Sequence, residues 1–213
     1  QNIGAYGMEV KETIIKVHTF EIEKKTVKIF SNKECEFKYR DSVFKRDLKE
    51  KVIITKVEFK LSKTPLNKTS YGAIKVELAA LKGDPSPKNI ANAVINIRNR
   101  KLPNPTELGN SGSFFKNPII STNKFELLQK DFPEIIGYKI SDKETKLAAG
   151  WLIENLGLKG FRKGDAGVHE NQALVLVNYG NASGKEILNL AKNIQVAILE
   201  RFGIHIESEV NIL

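Results

Sequence analysis

The sequence is short of several features that would place it in a common class. It has a single cysteine, Cys35, which excludes an internal disulfide framework and suits a reducing compartment. No apolar run approaches the roughly 20 residues that a membrane span needs. Walker, Gly-x-Gly-x-x-Gly and Gly-x-Ser-x-Gly motifs are absent, so the commonest nucleotide-binding and hydrolase signatures are missing. His18, His169 and His205 lack metal-ligand spacing and thiol partners, so we expect no metal site.

What is present fits a globular protein with a basic surface. A length of 213 residues suffices for one large domain or two small ones. The net charge of +9 indicates an anionic partner. A nucleic-acid-binding protein should show a basic stripe with interleaved aromatic residues, but Lys and Glu are mixed here, as in Glu21–Lys25. A mixed-charge surface and a phosphorylated metabolite would each account for the excess.

The first part of the chain, residues 9 to 62, is predicted to be rich in strands. Three runs have strand composition: Val10 to Val17, Phe20 to Phe30 and Lys51 to Leu61. Lys24-Lys25 marks a hairpin tip. In the second and third runs apolar and polar residues alternate, which predicts one buried and one solvated face. The apolar positions are Phe20, Ile22, Val27, Ile29, Ile53, Val57, Phe59 and Leu61.

Near residue 84 the sequence changes from strand-rich to a mixture of helix and strand signals. This change predicts a domain boundary, with domains at residues 1–84 and 85–213. Residues 63 to 84 contain Pro65, Gly72 and Gly83 and are expected to form a connector. Ser86 as N-cap and Pro87 at the first position then start a helix. Its apolar face and its basic end are expected at Ile90, Val94, Ile97, Arg98 and Arg100.

The second part mixes helices and strands, which predicts the α+β class. Strands are expected at Ile119-Ile120, Ala173–Val177 and Ile204–Ile212. One helix is capped by Ser121 or Thr122 and carries Phe125, Leu128 and Phe132; a second spans Lys146–Leu156 and stops at Gly157. The last helix opens with a capping box of Ser183 and Glu186, buries Ile187, Leu190, Ile194 and Ile198, and ends at Gly203.

The stretch from Gly109 to Pro118 gives the first indication of a site. Its small residues would let backbone N–H groups approach a ligand, with the Ser113 hydroxyl and the Lys116 charge beside it. The same residue types are also ordinary turn formers. Arg40 and Glu209 are two further polar residues with apolar or small flanks. Taken singly, each has a structural interpretation, as a surface arginine and an edge-strand glutamate.

Five ordered blocks together resemble the UDP-N-acetylenolpyruvoylglucosamine reductase (UDP-N-acetylmuramate dehydrogenase) family. The blocks are Gln1–Gly7, Tyr39–Lys45, Gly109–Pro118, Lys146–Ile153 and Val168–Val175. The closing Glu207-Ser208-Glu209-Val210 is similar to that family's Glu-Pro-Glu-Val, with Ser208 where Pro is usual. The resemblance covers the C-terminal two-thirds of such an enzyme. Because Gln1–Gly7 resembles a loop from the middle of a domain, we expect the sequence to begin inside a longer protein.

The resemblance implies a fold and a reaction. Residues 1–84 would be the C-terminal remainder of a PCMH-type FAD-binding domain, and 85–213 an α+β UDP-sugar domain whose last strand returns to the active site. The family uses NADPH and bound FAD to reduce UDP-N-acetylglucosamine enolpyruvate to UDP-N-acetylmuramate. The reaction belongs to cytoplasmic peptidoglycan precursor synthesis and so serves cell-wall biogenesis, cell shape and division. We therefore expect a monomer with no nucleic-acid or membrane partner.

The resemblance also implies roles for individual residues. Arg40 and Glu209 would stabilise an enolate, with Glu209 protonated or hydrogen-bonded to a donor, and Ser113 would protonate the other carbon. The implied UDP-sugar contacts are Tyr71, Lys101, Asn117, Tyr138, Lys159 and Gln172, and Tyr138 would lie on a loop that closes over the uridine. The implied flavin contacts are Gly4, Ala5, Tyr6, Gly7 and Ile54. Two alternatives stay open: a UDP-sugar-binding fragment without competent FAD binding, and a basic nucleic-acid-binding protein.

Overall fold

The computed structural model describes residues 1–64, 69, 73–81 and 84–212. Its internal contacts divide the chain into two compact units, Gln1–Ile97 and Arg98–Leu213. This division falls inside a helix, so most of that helix is grouped with the first unit. The domain boundary at residue 84 stays a prediction. Four residues singled out from the sequence lie outside the described residues: Pro65, Tyr71, Gly72 and Gly83.

The first unit is built from strands that precede two helices. Its elements are β1 (Gly4–Ala5), β2 (Met8–Glu9), β3 (Ile14–Glu21), β4 (Thr26–Ser31), β5 (Val52–Phe59), α1 (Ile74–Ala80) and α2 (Pro87–Lys101). β1 and β2 form a small antiparallel pair, and β4-β3-β5 form an antiparallel sheet. The predicted hairpin tip is confirmed, since Lys25 lies in the β3–β4 turn with a φ of +53°.

One face of the β4-β3-β5 sheet packs on a core; Val57 of β5 lies on it as the alternation predicted, but in β4 it is not the predicted face. Val17 and Phe30 are buried with Cys35. Several residues of the predicted face are exposed instead: Ile22, Val27, Ile29, Ile53, Phe59 and Leu61. In β4 the two candidate faces offer Ile29 and Phe30, so the pattern alone does not choose between them. Register shifts in the β3–β5 pairing change the alternation again.

A helix lies inside the segment that was predicted to be a connector. α1 buries Ile74 and Leu78 against Ala93 and Ile97 of α2, and Tyr6 packs on the same cluster. α1 has seven residues and no side-chain cap, so its termini carry no sequence signal. The predicted start of α2 is confirmed, because the Ser86 Oγ accepts a hydrogen bond from the backbone N–H of Asn89 at 3.3 Å.

The second unit contains two antiparallel sheets and three helices in its described part. Its elements are β6 (Gly109–Ser113), β7 (Ile119–Ser121), α3 (Thr122–Asp131), β8 (Gly137–Lys139), β9 (Glu144–Leu147), α4 (Ala149–Asn155), β10 (Arg162–Lys163), β11 (Ala166–Val168), β12 (Val175–Asn178) and α5 (Gly184–Phe202). The sheet orders are β10-β11-β12-β6 and β7-β9-β8. The α+β prediction is confirmed.

The helix signals in the second unit are largely confirmed. Ser183 and Glu186 form the predicted capping box of α5, and Gly203 ends the helix with a φ of +63°. Leu190, Ile194 and Ile198 of α5 are buried in the core of the unit. Ser121 caps α3 by accepting the backbone N–H of Lys124.

Three element predictions in the second unit are wrong. Gly109–Ser113 is strand β6 rather than a turn, because its backbone pairs with β12. Lys146 and Leu147 belong to β9, where they pair with β7 and β8, and the helix starts only at Ala149. Ile204–Ile212 is not a strand, since its only described ladder contact is the bridge from Ser208 to Phe115.

Candidate active site

Ser113 is presented at the end of β6, where the strand leaves its sheet. It is exposed and pairs with Val175 of β12. The preceding Gly112 has a φ of +74°, and an added Cβ would find no atom within 4 Å. Backbone conformation, not space, therefore requires glycine here. The Asn110 Oδ1 accepts the Gly112 N–H at 2.9 Å and fixes this bend.

The C-terminal segment lies directly against the residues that follow Ser113. Phe115 and Ser208 form an antiparallel bridge. The backbone N–H of Glu209 donates to the Phe114 carbonyl at 2.8 Å, and the N–H of Lys116 donates to the Glu207 carbonyl at 2.9 Å. The second unit thus places Glu209, half-buried, beside the strand end that carries Ser113.

Asn117 and Gln172 both lie near the first turn of α4. The Asn117 Oδ1 accepts the backbone N–H of Ala149 at 2.9 Å. The Gln172 Oε1 accepts the N–H of Leu174 at 3.4 Å and lies 3.8 Å from the position of a Cβ added to Gly150. Each carbonyl oxygen therefore accepts a hydrogen bond from the backbone, whereas neither amide NH2 group donates a hydrogen bond to another described residue, so both can donate to a ligand.

The other predicted substrate contacts are placed separately. Lys101 is the exposed last residue of α2. Tyr138 lies on β8, the edge strand of its sheet, and is 54% exposed, so it is on a strand rather than a loop. Lys159 pairs with Glu154 near the end of α4. None of the three is hydrogen-bonded to Ser113 in the described part of the chain.

In the first unit, Arg40 is tied to the predicted flavin loop. Its Nη2 donates to the Gly4 carbonyl at 2.8 Å, and its guanidinium carbon lies 5.4 Å from the centroid of the Tyr39 ring. Arg40 has a φ of +52°, and Asn2 and Tyr6 have values of +54° and +52°. A non-glycine residue in this region costs on the order of 1–3 kcal/mol, and such strain clusters at functional sites.

The loop from Gly4 to Gly7 borders a small hollow of about 260 Å³. It is lined by Ile3, Gly4, Ala5, Met8, Glu9, Val10 and Thr13. A Cβ added to Gly4 would lie 3.0 Å from both the Glu9 Cγ and the Met8 carbonyl oxygen. Gly7 has a φ of +77°. Ile54, the last predicted flavin contact, lies on β5 and is 47% exposed.

Ser42 is a candidate that sequence reasoning missed, although it lies in the Tyr39–Lys45 block. Its side chain is fully buried, and its Oγ has no hydrogen-bond partner among the described residues. A buried hydroxyl is normally hydrogen-bonded, so this exception makes Ser42 a candidate functional residue. The turn around it is held by Arg46, which pairs with Asp41 and Glu36; the hydrogen bond with Asp41 is the main cause that raises the pKa of Arg46.

No group of three or more metal-ligating side chains occurs among the described residues. In the same residues, no helix is long and apolar enough to cross a membrane.

Comparison with known proteins gives first the class of fold and then the family. A solved structure, the UDP-N-acetylenolpyruvylglucosamine reductase (MurB) from Thermus caldophilus, matches with a TM-score of 0.60. The two sequences are 24% identical, and the match covers 99% of this chain and 56% of the Thermus caldophilus chain. The similarity therefore shows the fold. Residues 104–213 match the family model of the UDP-N-acetylenolpyruvoylglucosamine reductase C-terminal domain. The chain therefore belongs to the UDP-N-acetylenolpyruvoylglucosamine reductase family.

Curated relatives agree with the family match. A UDP-N-acetylenolpyruvoylglucosamine reductase of Flavobacterium johnsoniae is 55% identical over 100% of this chain and 64% of its own length. One of Pseudomonas savastanoi pv. phaseolicola is 47% identical over 100% of this chain and 62% of its own length. The chain thus spans less than two-thirds of the length of these relatives.

Proposed function

We propose that this chain is the substrate-binding and proton-donating part of an FAD-dependent, NADPH-linked reductase. The substrate would be UDP-N-acetylglucosamine enolpyruvate and the product UDP-N-acetylmuramate, in peptidoglycan precursor synthesis. The observation that supports the proposal is the bond from the Glu209 N–H to the carbonyl of Phe114, the residue that follows Ser113. Both residues lie in the part of the chain that matches the family model. The names of the relatives support a reductase over a UDP-sugar-binding fragment.

The chemistry assigned to Ser113 and Glu209 is a protonation and a charge stabilisation. FAD, when bound, supplies to the vinyl group of the substrate the hydride that it has received from NADPH. A serine hydroxyl becomes a useful acid only toward a strongly basic carbon held in contact with it. Ser113, exposed at its strand end, is accessible for this task. Its proton completes the addition of hydride and proton across the double bond and is then replaced from solvent.

Glu209 would stabilise the enolate that precedes this protonation. A preorganised group beside developing charge is usually the largest single source of rate enhancement. Glu209 would act protonated or hydrogen-bonded to a donor, because a bare carboxylate would repel the enolate. Arg40 would contribute positive charge to the same intermediate. It belongs to the first unit, and its role rests on the resemblance of the Tyr39–Lys45 block.

The residues of the first unit fit part of a flavin site. Gly4, Ala5, Tyr6 and Gly7 would bring backbone close to the cofactor, and Ile54 would supply an apolar contact. The hollow of about 260 Å³ beside them is smaller than the roughly 300–1,000 Å³ of a pocket for a drug-sized ligand. These residues would therefore hold one portion of the dinucleotide and leave the rest to other parts of a longer protein.

The UDP-sugar would be held mainly by amides and cations. The amide NH2 groups of Asn117 and Gln172 suit sugar hydroxyl and carbonyl acceptors, and Lys101 and Lys159 suit a diphosphate. Tyr138 and Tyr71 would complete the set. We further propose that the enzyme is cytoplasmic and monomeric and binds no nucleic acid.

The test is an assay of the full-length protein that contains this chain. We expect it to purify with the yellow colour of a flavin and to oxidise NADPH when UDP-N-acetylglucosamine enolpyruvate is added. A flavin-bound protein whose NADPH oxidation the enolpyruvyl substrate does not stimulate would contradict the proposal. Binding of the UDP-sugar by a full-length protein without FAD would favour the fragment interpretation, and salt-dependent DNA binding without UDP-sugar binding would favour the third alternative.

A further inference from the structure

We propose that Lys116 and Glu207 are positioning residues, whose ion pair fixes the register of the C-terminal segment and so places Glu209 beside Ser113. This inference rests on the proposed function, because it gives Glu209 a task. The Lys116 Nζ lies 2.8 Å from the Glu207 Oε2. The two residues are also joined through their backbones, by the bond from the Lys116 N–H to the Glu207 carbonyl.

The backbone pairing that this ion pair accompanies is small. In the described residues it consists of the Phe115–Ser208 bridge and its two flanking hydrogen bonds. A strand slipped by one residue turns every side chain to the opposite face, so the register decides which residue lies next to Phe114. A slip here would exchange Glu209 for Ser208 or Val210 next to Phe114.

Other contacts anchor the segment before Glu207 and also after Glu209, where the partly buried Val210 packs against the core. The Gln195 Nε2 of α5 donates to the Ile206 carbonyl at 2.8 Å, and the side chains of Ile204 and Ile206 are buried. These contacts hold the residues before Glu207. The Lys116–Glu207 pair is the next contact along the chain and lies between the Ile206 anchor and Glu209.

The surroundings of the pair suit positioning. The side chain of Lys116 is 20% exposed and that of Glu207 is 75% exposed. The lysine stem therefore packs along the protein while its charged end reaches the glutamate. An exposed pair contributes little to the free energy of unfolding. Its loss should disturb the placement of Glu209 more than it destabilises the fold.

The first experiment measures the pairing directly, in the full-length protein and without an activity assay. Amide hydrogen exchange at Glu209 and Lys116, the two N–H donors of the bridge, should quicken about threefold to tenfold in Lys116→Met and Glu207→Gln. Asp142→Asn removes an acid from another exposed ion pair, that of Lys139 and Asp142, and should leave both rates unchanged. Unchanged rates in both variants would overturn the proposal whether or not the protein is a reductase.

The second experiment separates positioning from direct contact with substrate. Both variants should lower kcat for the enolpyruvyl substrate about threefold to tenfold, with KM and flavin reduction by NADPH near normal. The exchanged pair Lys116→Glu with Glu207→Lys should restore kcat to within about twofold. A loss confined to Lys116→Met, with a raised KM and no restoration, would show that Lys116 binds the substrate and would overturn the positioning role.

A substitution at Ser208 should rescue the Glu207→Gln variant. Such a rescue would not be expected if that variant acted only by lowering stability. Ser208 lies opposite Phe115 at the bridge position whose backbone makes neither of the two flanking hydrogen bonds. A proline there would sacrifice neither bond and would fix φ near −65°. Ser208→Pro added to Glu207→Gln should therefore recover slow exchange at Glu209 and most of kcat. Slow exchange without recovery of kcat would contradict the link between register and catalysis.

Discussion

The backbone N–H of Glu209 donates a hydrogen bond to the carbonyl of Phe114, the residue that follows Ser113, at 2.8 Å. Two residues from distant parts of the sequence are thereby brought to one strand end. Their backbone support is well packed, because Phe114 and Phe115 are buried and their rings meet edge to face at 5.1 Å. The proposed acid and the proposed carboxylate thus share one well-packed support.

Ser113→Ala should separate the two half-reactions of the full-length enzyme. Flavin reduction by NADPH should stay near normal, because Ser113 has no part in it. Reoxidation by the enolpyruvyl substrate should fall about 10²–10⁴-fold, the usual effect of losing a positioned acid. Stopped-flow absorbance of the flavin measures both steps.

Ser111→Ala is the matched control, since Ser111 is an exposed serine on the same strand. It should leave both half-reactions unchanged. An equal loss in both half-reactions of Ser113→Ala would show that the hydroxyl is needed for the architecture of the site and not as proton donor.

Asn117 should show two separable tasks. Asn117→Ala leaves the buried N–H of Ala149 without its acceptor, at a cost of about 1–3 kcal/mol in the free energy of unfolding. Asn117→Asp keeps an acceptor for that N–H but loses the NH2 donor, so it should be nearly as stable as wild type and bind the UDP-sugar more weakly. Chemical denaturation and calorimetric titration measure the two effects. Equal UDP-sugar affinity in Asn117→Asp and wild type would contradict the substrate contact.

Tyr138→Ala should weaken substrate binding more than it slows the chemistry. Tyr138 is exposed on an edge strand, so its ring stabilises little in the described structure and is available to cover a ligand. We expect KM to rise at least about tenfold while kcat falls less than about threefold. An unchanged apparent affinity would count against closure over the uridine.

The sequence predicted the elements that carry local signals and missed those that depend on partners. The capping box of Ser183 and Glu186 determines the start of α5, and the positive φ of Gly203 determines its end. The bounds of α5 could therefore be predicted from the sequence. Leu147 was placed in a helix because its apolar spacing fits one, whereas pairing with Gly137 puts it in β9. The buried face of β4 was also misjudged, because only contact with Val17 and Cys35 selects Phe30 over Ile29.

The candidate site was predictable only in part for the same reason. The small residues around Ser113 indicated a site, but on composition alone they favoured a turn. The strand pairing with Val175 leaves no signal in the local sequence pattern. The ion pair of Lys116 with Glu207 spans most of the second unit in sequence. No periodicity or motif in the sequence predicts such a contact. It can be identified only from the fold, which places the two segments side by side.

The thiol of Cys35 should react slowly with thiol reagents. It should also make the free energy of unfolding depend on pH in the alkaline range. Burial raises its pKa to about 11. At pH 8 only about one thiol in a thousand would be ionised, against roughly a quarter for an exposed cysteine of pKa 8.5. Reaction with a disulfide reagent should therefore be at least ~100-fold slower than in the unfolded chain. A fast reaction under native conditions would contradict the burial.

The sign of the stability effect of Cys35 follows from the direction of its shift. The folded-state pKa is higher than that of the unfolded chain, so the contribution to stability is complete below about pH 8.5 and is lost as the pH rises toward 11. The difference in free energy of unfolding between wild type and Cys35→Ala should shrink over that window. A constant difference would show that the thiol ionises equally in both states.

The capping box of α5 should make the free energy of unfolding depend on pH in the acid range. Here the contribution to stability is lost as the pH falls, whereas that of Cys35 is lost as the pH rises. Hydrogen bonds from the Ser183 N–H at 2.8 Å and the Ser183 Oγ at 2.7 Å lower the pKa of Glu186, although the nearby Asp165 raises it. The folded state therefore holds this proton less tightly than the unfolded chain. The contribution of Glu186 to stability should be complete above about pH 4.3 and should fade as the pH falls through the lowered pKa.

Denaturant unfolding of wild type and Glu186→Gln between pH 7 and pH 3 measures this contribution. The control is Glu200→Gln, because Glu200 is an exposed acid in the last turn of the same helix. A wild-type advantage that persists undiminished at pH 3 would show that the cap acts through packing and not through the charged carboxylate.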